Sequence, residues 1–248
     1  MFNFFKKKPS GLEIPQQLPF QTDIHSHILA GIDDGSPDIE TSLQLVKGIY
    51  DLGIRKTVAT PHVIADMYRN TPEIINKALA ALQQACKSAQ IQIEISAAAE
   101  YMLDDYFLKL LSEEQPLLCI HKNIILTEQS YAAASGNLNE IAFTIMKKGY
   151  RPIMAHPERY FYYHDHYAEY IHLKDMGFLL QVNLLSLTGY YGKHVAKAAK
   201  YLLDHDLADL VGTDMHHTRH LSIMQNKENL VLFQKYLQKK TFNVLSDF

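Results

Sequence analysis

No tryptophan occurs among the 248 residues, only two cysteines do, and no uninterrupted apolar run reaches the ~18 residues that a membrane-spanning helix needs. Cys86 and Cys119 make neither a disulfide framework nor a Cys-x-x-Cys pair, so they fit a reducing compartment and give secretion no support. The basic start Lys6-Lys7-Lys8 runs into Pro9-Ser10-Gly11 instead of the apolar core of a signal peptide. The expectation is a cytoplasmic chain with no membrane span. Excess positive charge is also missing: 24 Lys and Arg against 27 Asp and Glu leave −3 with neutral His, which provides no global field to hold a nucleic-acid backbone. No nucleic-acid partner is therefore expected. What is present is a 47% hydrophobic content, enough to bury a core, and 13 histidines. Histidine is the commonest metal ligand, which directs attention to metal chemistry.

Residues 1–19 carry Pro9, Pro15 and Pro19 with little periodicity and read as an N-terminal leader outside the main core; residues 20–248 read as one domain. From Phe20 onward short apolar runs alternate with helix-period segments. A strand ends at Ile24. Ser36 can cap and Pro37 open a helix to Asp51, in which Ile39, Leu43, Val46 and Tyr50 recur at helical spacing. Strands follow at residues 56–60 and 92–98, with a helix opened by Thr71-Pro72 between them, then near 124–126, 153–155, 179–182 and 210–212. Strand-then-helix alternation implies α/β architecture with parallel pairing through crossovers. About seven such units without a linker favour a barrel over an open doubly wound sheet, although sequence leaves closure open.

Candidate ligands sit at the ends of these strands: Asp23-Ile24-His25-Ser26-His27, Thr60-Pro61-His62, Ala99-Glu100, Thr127-Glu128, Ala155-His156-Pro157 and Thr213-Asp214-Met215-His216. In parallel α/β folds the carboxyl ends of the strands share one rim, so these side chains are expected to converge. The two-residue strand period puts both members of His-x-His and Asp-x-His on one face. A lone histidine is more often structural, but six strand ends bearing His, Asp or Glu are hard to explain as core, since charged groups are rarely buried unless paired or metal-bound.

With Asp33-Asp34-Gly35, Ala59-Thr60-Pro61-His62, Ala99-Glu100-Tyr101 and Ala155-His156-Pro157-Glu158-Arg159-Tyr160, these motifs resemble the polymerase and histidinol phosphatase superfamily, and within it the bacterial capsule-type protein tyrosine phosphatases. The resemblance spans about residues 20 to 220. It implies a distorted seven-stranded β/α barrel holding three divalent metals, Mn being favoured with Fe or Zn as alternatives. One metal would be held by His25, His27, Glu100 and Asp214; a second, bridged by Glu100, also by Glu128 and His156; the third by Asp34, His62 and His216. It further implies hydrolysis of phosphotyrosine on protein, with a tyrosine kinase of capsule or exopolysaccharide export as partner. Three divalent ions would supply +6 against −4 from Asp34, Glu100, Glu128 and Asp214. The resulting positive site attracts phosphate and acidifies bound water from a pKa of 15.7 toward about 7, giving a hydroxide nucleophile.

Arg159, three residues after His156, is near enough to fork a phosphate oxygen. Arg219, shortly after His216, resembles a second phosphate-binding arginine of the family, with a surface ion pair as the alternative. The aromatic stretch from Tyr160 to Tyr167 reads as packing, with a groove for an aromatic leaving group as the second possibility. A cysteine-dependent tyrosine phosphatase is excluded, because Gln92 and Ile125 stand where an arginine must follow Cys86 and Cys119. Gly189-Tyr190-Tyr191-Gly192-Lys193 is too short for a phosphate loop and lacks the following Ser or Thr, so it reads as a turn into a helix. A small-molecule phosphoesterase such as a histidinol phosphate phosphatase, and a metal-stabilised phosphoprotein-binding scaffold without turnover, are the alternatives.

Overall fold

The computed structural model describes residues 15–113, 115–244 and 246. The chain forms β1 (Thr22–Asp23), α1 (Ile39–Asp51), β2 (Lys56–Ala59), β3 (His62–Ile64), β4 (Tyr68–Arg69) and α2 (Pro72–Ser88). There follow β5 (Glu94–Ala97), β6 (Glu100–Met102), α3 (Asp105–Ser112), β7 (Ile124–Glu128), α4 (Leu138–Lys147), β8 (Arg151–Ala155) and α5 (Ala168–Asp175). The last part is β9 (Leu179–Asn183), α6 (Leu184–Leu187), α7 (Lys193–Asp204), β10 (Leu210–Gly212), α8 (Thr218–Met224) and α9 (Lys227–Leu237).

Strands β1, β2 and β5 pair in parallel, and a second sheet runs β10-β9-β8-β7-β6-β3-β4, parallel except for the β3–β4 hairpin. Because β2 leads into β3 and β5 into β6, the two sheets share staves. Ala98 donates its N–H to Ala59 O at 2.8 Å and Glu100 to Pro61 O at 3.0 Å, which carries the pairing across both breaks. First and last staves meet where Asp214 N–H donates to His25 O at 2.8 Å and His27 N–H to Met215 O at 2.9 Å. The result is the expected distorted barrel, closed by contacts that join residues far apart in sequence.

Inside the barrel, Ile24, Val58, Ala98, Leu126, Ile153, Ala155, Leu179 and Leu210 form a buried apolar floor. The strand period carries the same stripe onward to Glu128 on β7 and to Gln181 and Asn183 on β9, so the interior turns polar toward the carboxyl ends. Outside, Leu45, Val46 and Ile49 of α1, Phe107 of α3, Ile141 and Ile145 of α4, and Leu202 of α7 are buried in the larger core that covers the strands. Asp104 ties that layer to the site's rim: its carboxylate accepts Phe107 N–H at 2.9 Å, capping α3, and Ala65 N–H at 2.9 Å from the β3–β4 hairpin.

Three local expectations change. Asp38 caps α1, accepting Thr41 N–H at 2.8 Å, so the helix starts at Ile39; Ser36 is buried instead and donates its hydroxyl to Asp38 O at 2.9 Å. The third strand begins at Glu94 and not at Gln92. The described end of the expected leader, residues 15–19, is not outside the core, because Leu18 is buried there and its N–H donates to Leu52 O at 2.8 Å. Residues 1–14 lie outside the described residues.

Candidate metal centre

All nine expected ligands converge on the rim formed by the strand ends. Glu100, fully buried, stands in the middle: Oε2 is 3.3 Å from His25 Nε2, 3.4 Å from His27 Nε2 and 3.1 Å from His62 Nδ1, while Oε1 is 3.0 Å from His156 Nε2. Asp214 Oδ1 lies 3.3 Å from His25 Nε2 and 3.4 Å from both His27 Nε2 and His216 Nδ1. Glu128 Oε1 is 2.9 Å from His62 Nδ1, and Asp34 Oδ1 is 3.4 Å from His62 Nε2 and 3.7 Å from His216 Nε2. Four groups could each hold an ion: His27, Asp34, His62 and His216; His25, His27 and Glu100; His25, His156 and Asp214; and His62, Glu100 and Glu128. The second lies within one set implied by the family resemblance, and the first is another of its sets, Asp34, His62 and His216, with His27 added. The others differ from it, in that His62 faces Glu128 and His156 groups with His25 and Asp214.

These donors fit divalent ions. Ligands about 2.1 Å from one ion stand roughly 3.0–3.4 Å from one another in octahedral or tetrahedral arrangements. Most of the separations above fall there. His62 Nδ1, Glu100 Oε2 and Glu128 Oε1 are buried and, despite their closeness, lack hydrogen-bond geometry toward any described residue. A shared cation would compensate buried oxygens and an imidazole nitrogen crowded in this way without hydrogen bonds.

A second layer aims the ligands. Gln181 Oε1 is 2.8 Å from His25 Nδ1 and Asp33 Oδ2 is 2.7 Å from His27 Nδ1. Each oxygen accepts from Nδ1–H, which turns the Nε2 lone pair toward the cluster. Gln181 Nε2 donates to Asn183 Oδ1 at 2.8 Å, and Asn183 Nδ2 donates to Asp214 Oδ2 at 2.7 Å. Gly35 makes the Asp33-Asp34 loop possible, since a Cβ there would lie 2.1 Å from His27 O. His156 and Asp214 occupy the left-handed region, with φ of 35° and 49°. Such non-glycine residues cost on the order of 1–3 kcal/mol each and persist where surrounding bonds hold them, as at a functional site.

Charge follows the same layout. Burial opposes the His62 cation, but Glu100 and Glu128 outweigh it and push the imidazole up to about 12. Burial likewise opposes the His27 cation, yet Asp33 raises it to about 10, so an ion bound by His27 or His62 would displace a proton from the ring and free its lone pair. Burial draws His156 down to about 4, and burial with repulsion from His27 does the same to His216, so both offer lone pairs at neutral pH. Burial, then the neighbouring Glu100 charge, raises Glu128, as expected where two carboxylates share a site.

Arg159 reaches the cluster: NH1 donates to Asp214 Oδ2 at 2.9 Å. Arg219 lies with its guanidinium 5.5 Å from the Tyr190 ring, and no ion pair joins it to the nine ligands among the described residues. The aromatic stretch packs in part: Tyr160 and Tyr163 are buried, and Tyr160 Oη accepts Gln129 N–H at 2.8 Å, whereas Phe161 is 61% exposed. Gly189–Gly192 is a turn leading into α7. Sequence reasoning missed Gln181, Asn183, Glu158, Tyr131 and His220. Gln181 and Asn183 were detectable as two polar residues, one period apart, in an otherwise apolar strand. Glu158 is buried and pushed up to about 7 by that burial, and its Oε1 accepts from Asn183 N–H at 2.9 Å and Ser186 Oγ at 2.7 Å. His220 Nδ1 lies 3.2 Å from Asp214 O, behind His216.

Fold and rim together define a barrel of the polymerase and histidinol phosphatase type. The chain belongs to the family described as capsular polysaccharide synthesis, CpsB/CapC, whose model matches residues 21–246. Among curated relatives, the tyrosine-protein phosphatase CpsB of Streptococcus pneumoniae is 29% identical over 231 residues, 91% of this chain and 95% of that protein. The tyrosine-protein phosphatase YwqE of Bacillus subtilis is 27% identical over 197 residues, 79% and 78% of the two chains. A solved structure from work on YwqE of B. subtilis and CpsB of S. pneumoniae, described as unique metal-dependent tyrosine phosphatases, superposes with a TM-score of 0.78 at 26% identity, covering 91% of this chain and 89% of that one.

Proposed function

We propose that this protein is a metal-dependent protein tyrosine phosphatase acting in capsule or exopolysaccharide synthesis, with a tyrosine-phosphorylated kinase of polysaccharide export as its substrate. The observation that carries the proposal is the shared carboxylate of Asp214. Its Oδ1 faces His25, His27 and His216, while its Oδ2 accepts from Arg159 at 2.9 Å. A phosphate-binding fork thus stands beside a set of metal donors. The names of the relatives and the family's place in capsular polysaccharide synthesis support the same substrate class.

In this proposal His25, His27, Asp34, His62, Glu100, Glu128, His156, Asp214 and His216 hold three divalent ions, Mn favoured and Fe or Zn compatible with mixed imidazole and carboxylate donors. Bound ions supply positive charge for phosphoryl oxygens and acidify water. Asp33 and Gln181 keep the imidazoles of His27 and His25 turned toward the centre. Arg159 orients the phosphoryl group through N–H donors left over after its single bond to Asp214. Neither cysteine serves as nucleophile: Cys86 is buried in the outer core on α2, and Cys119 packs against that same core, away from the rim. Two free thiols also accord with a cytoplasmic setting.

The test compares initial rates on a phosphotyrosine peptide and on histidinol phosphate for the wild type and for His62→Ala, His156→Ala and Arg159→Ala. Preferred turnover of the peptide, lost at least 100-fold in each histidine variant with the fold intact by circular dichroism, is the expected result. Preference for histidinol phosphate would move the enzyme to small phosphoesters, and full activity in either histidine variant would refute the ligand assignment.

A further inference from the structure

The turn Gly189-Tyr190-Tyr191-Gly192 is bracketed by two glycines with φ of 83° and 105°, a region side chains rarely adopt, and is closed by Gly192 N–H donating to Gly189 O at 2.9 Å. It presents two adjacent rings, and each lies under a different arginine near the site. Arg159 Cζ stands 4.3 Å from the Tyr191 ring centroid, and Arg219 Cζ stands 5.5 Å from that of Tyr190. On Arg159 a second ring completes the arrangement, with Tyr131 4.9 Å from the same Cζ. Tyr131 also stacks on His156, at 5.8 Å and 19° between planes, so one ring touches both a metal-ligand candidate and the phosphate-binding arm.

We propose that this turn positions both arginines for phosphate: Tyr191, together with Tyr131, fixes the guanidinium of Arg159, and Tyr190 fixes that of Arg219. The proposal rests on the phosphatase reading given above, which assigns phosphate to this rim. An arginine side chain is long and flexible, and the ion pair to Asp214 engages NH1 alone. No other hydrogen bond restrains the Arg159 guanidinium among the described residues, so one ion pair leaves rotation about it free. Rings packed against the guanidinium restrict that rotation without consuming N–H donors, and the remaining donors stay available for a planar, two-point grip on an oxyanion. Tyr190 and Tyr191 share one rigid turn, so the separation of the two arginines is set by a single element. The turn thus serves phosphate recognition through its rings, although it lacks the spacing of a phosphate-cradling loop.

The experiment measures the affinity of inorganic phosphate for the metal-loaded protein by calorimetry, which needs no turnover. Tyr191→Ala and Tyr191→Phe are made in the wild type and in Arg159→Ala; Tyr190→Ala and Tyr190→Phe in the wild type and in Arg219→Ala. Metal content and melting temperature serve as controls for each variant. Removal of either ring is expected to weaken phosphate about five- to tenfold, the factor corresponding to a partly buried cation–π contact. The phenylalanine variants retain most of the affinity, and the alanine change has less than about twofold effect once the partner arginine is gone. Equal losses with and without the arginine, or no loss at all, would overturn the proposal, as would wild-type protein that binds no phosphate. Failure of the phosphatase reading is separable, since it shows as absent turnover of phosphotyrosine peptide while the phosphate cycle still reports on the turn.

Discussion

Asp33 illustrates how much of the centre depends on residues that would touch no metal. Its Oδ2 lies 2.7 Å from His27 Nδ1 and also accepts the His62 N–H at 3.2 Å, while Oδ1 accepts Gly35 N–H at 3.0 Å. Asp33→Ala leaves every ligand in place yet frees the His27 ring, so metal affinity is expected to fall about 10–100-fold. Competition with a metal-sensitive dye would measure this, and unchanged affinity would assign Asp33 a purely structural role. Gly35→Ala drives a methyl into His27 O and should cost activity even though the change is one carbon. At this scale the sequence was informative wherever a ligand stood in a motif. It was uninformative for Tyr131 and Tyr191, which meet Arg159 only because the loop after β7, the loop after β8 and the turn before α7 fold onto one rim.

Elements position those residues, and the short ones were hardest to foresee. Strands at β7, β8, β9 and β10 were legible as apolar, β-branched runs, and the helix opened by Thr71-Pro72 was legible from its cap. Strands β3, β4 and β6 are two or three residues long, and β3 and β6 begin with the ligands His62 and Glu100, so polar and charged side chains obscure their pattern. The α1 cap was misplaced by two residues because Ser36 and Asp38 are both competent, and only the burial of Ser36 decides between them. Asp104 links α3 to the β3–β4 hairpin through two backbone N–H groups. Asp104→Ala should therefore destabilise the fold by about 1–2 kcal/mol, the upper part of the range for a lost cap, measured by urea unfolding. A loss below ~0.5 kcal/mol would show that the hairpin does not depend on this tie.

For the whole molecule, the barrel's strand count and rhythm were readable from the sequence, but closure was not, because it depends on His25 and His27 pairing with Asp214 and Met215 across the length of the chain. Closure is also what brings the first and last ligand motifs together, so stability and metal binding are coupled. Each ion bound only by the folded state adds ~3 kcal/mol at a hundredfold excess over its Kd, so a chelator should lower the melting temperature by roughly 5–10 °C per strongly bound ion. A melting temperature indifferent to chelator would break that coupling.

The central claim is that nine side chains from six of the seven staves make a working centre only with divalent ions. The most direct test is elemental analysis of the purified protein together with turnover of a phosphotyrosine peptide, before and after chelation and after Mn re-addition. About three ions per chain, turnover abolished by the chelator and restored by Mn, is the predicted result. Undiminished turnover by protein stripped of metal would contradict the account at its root.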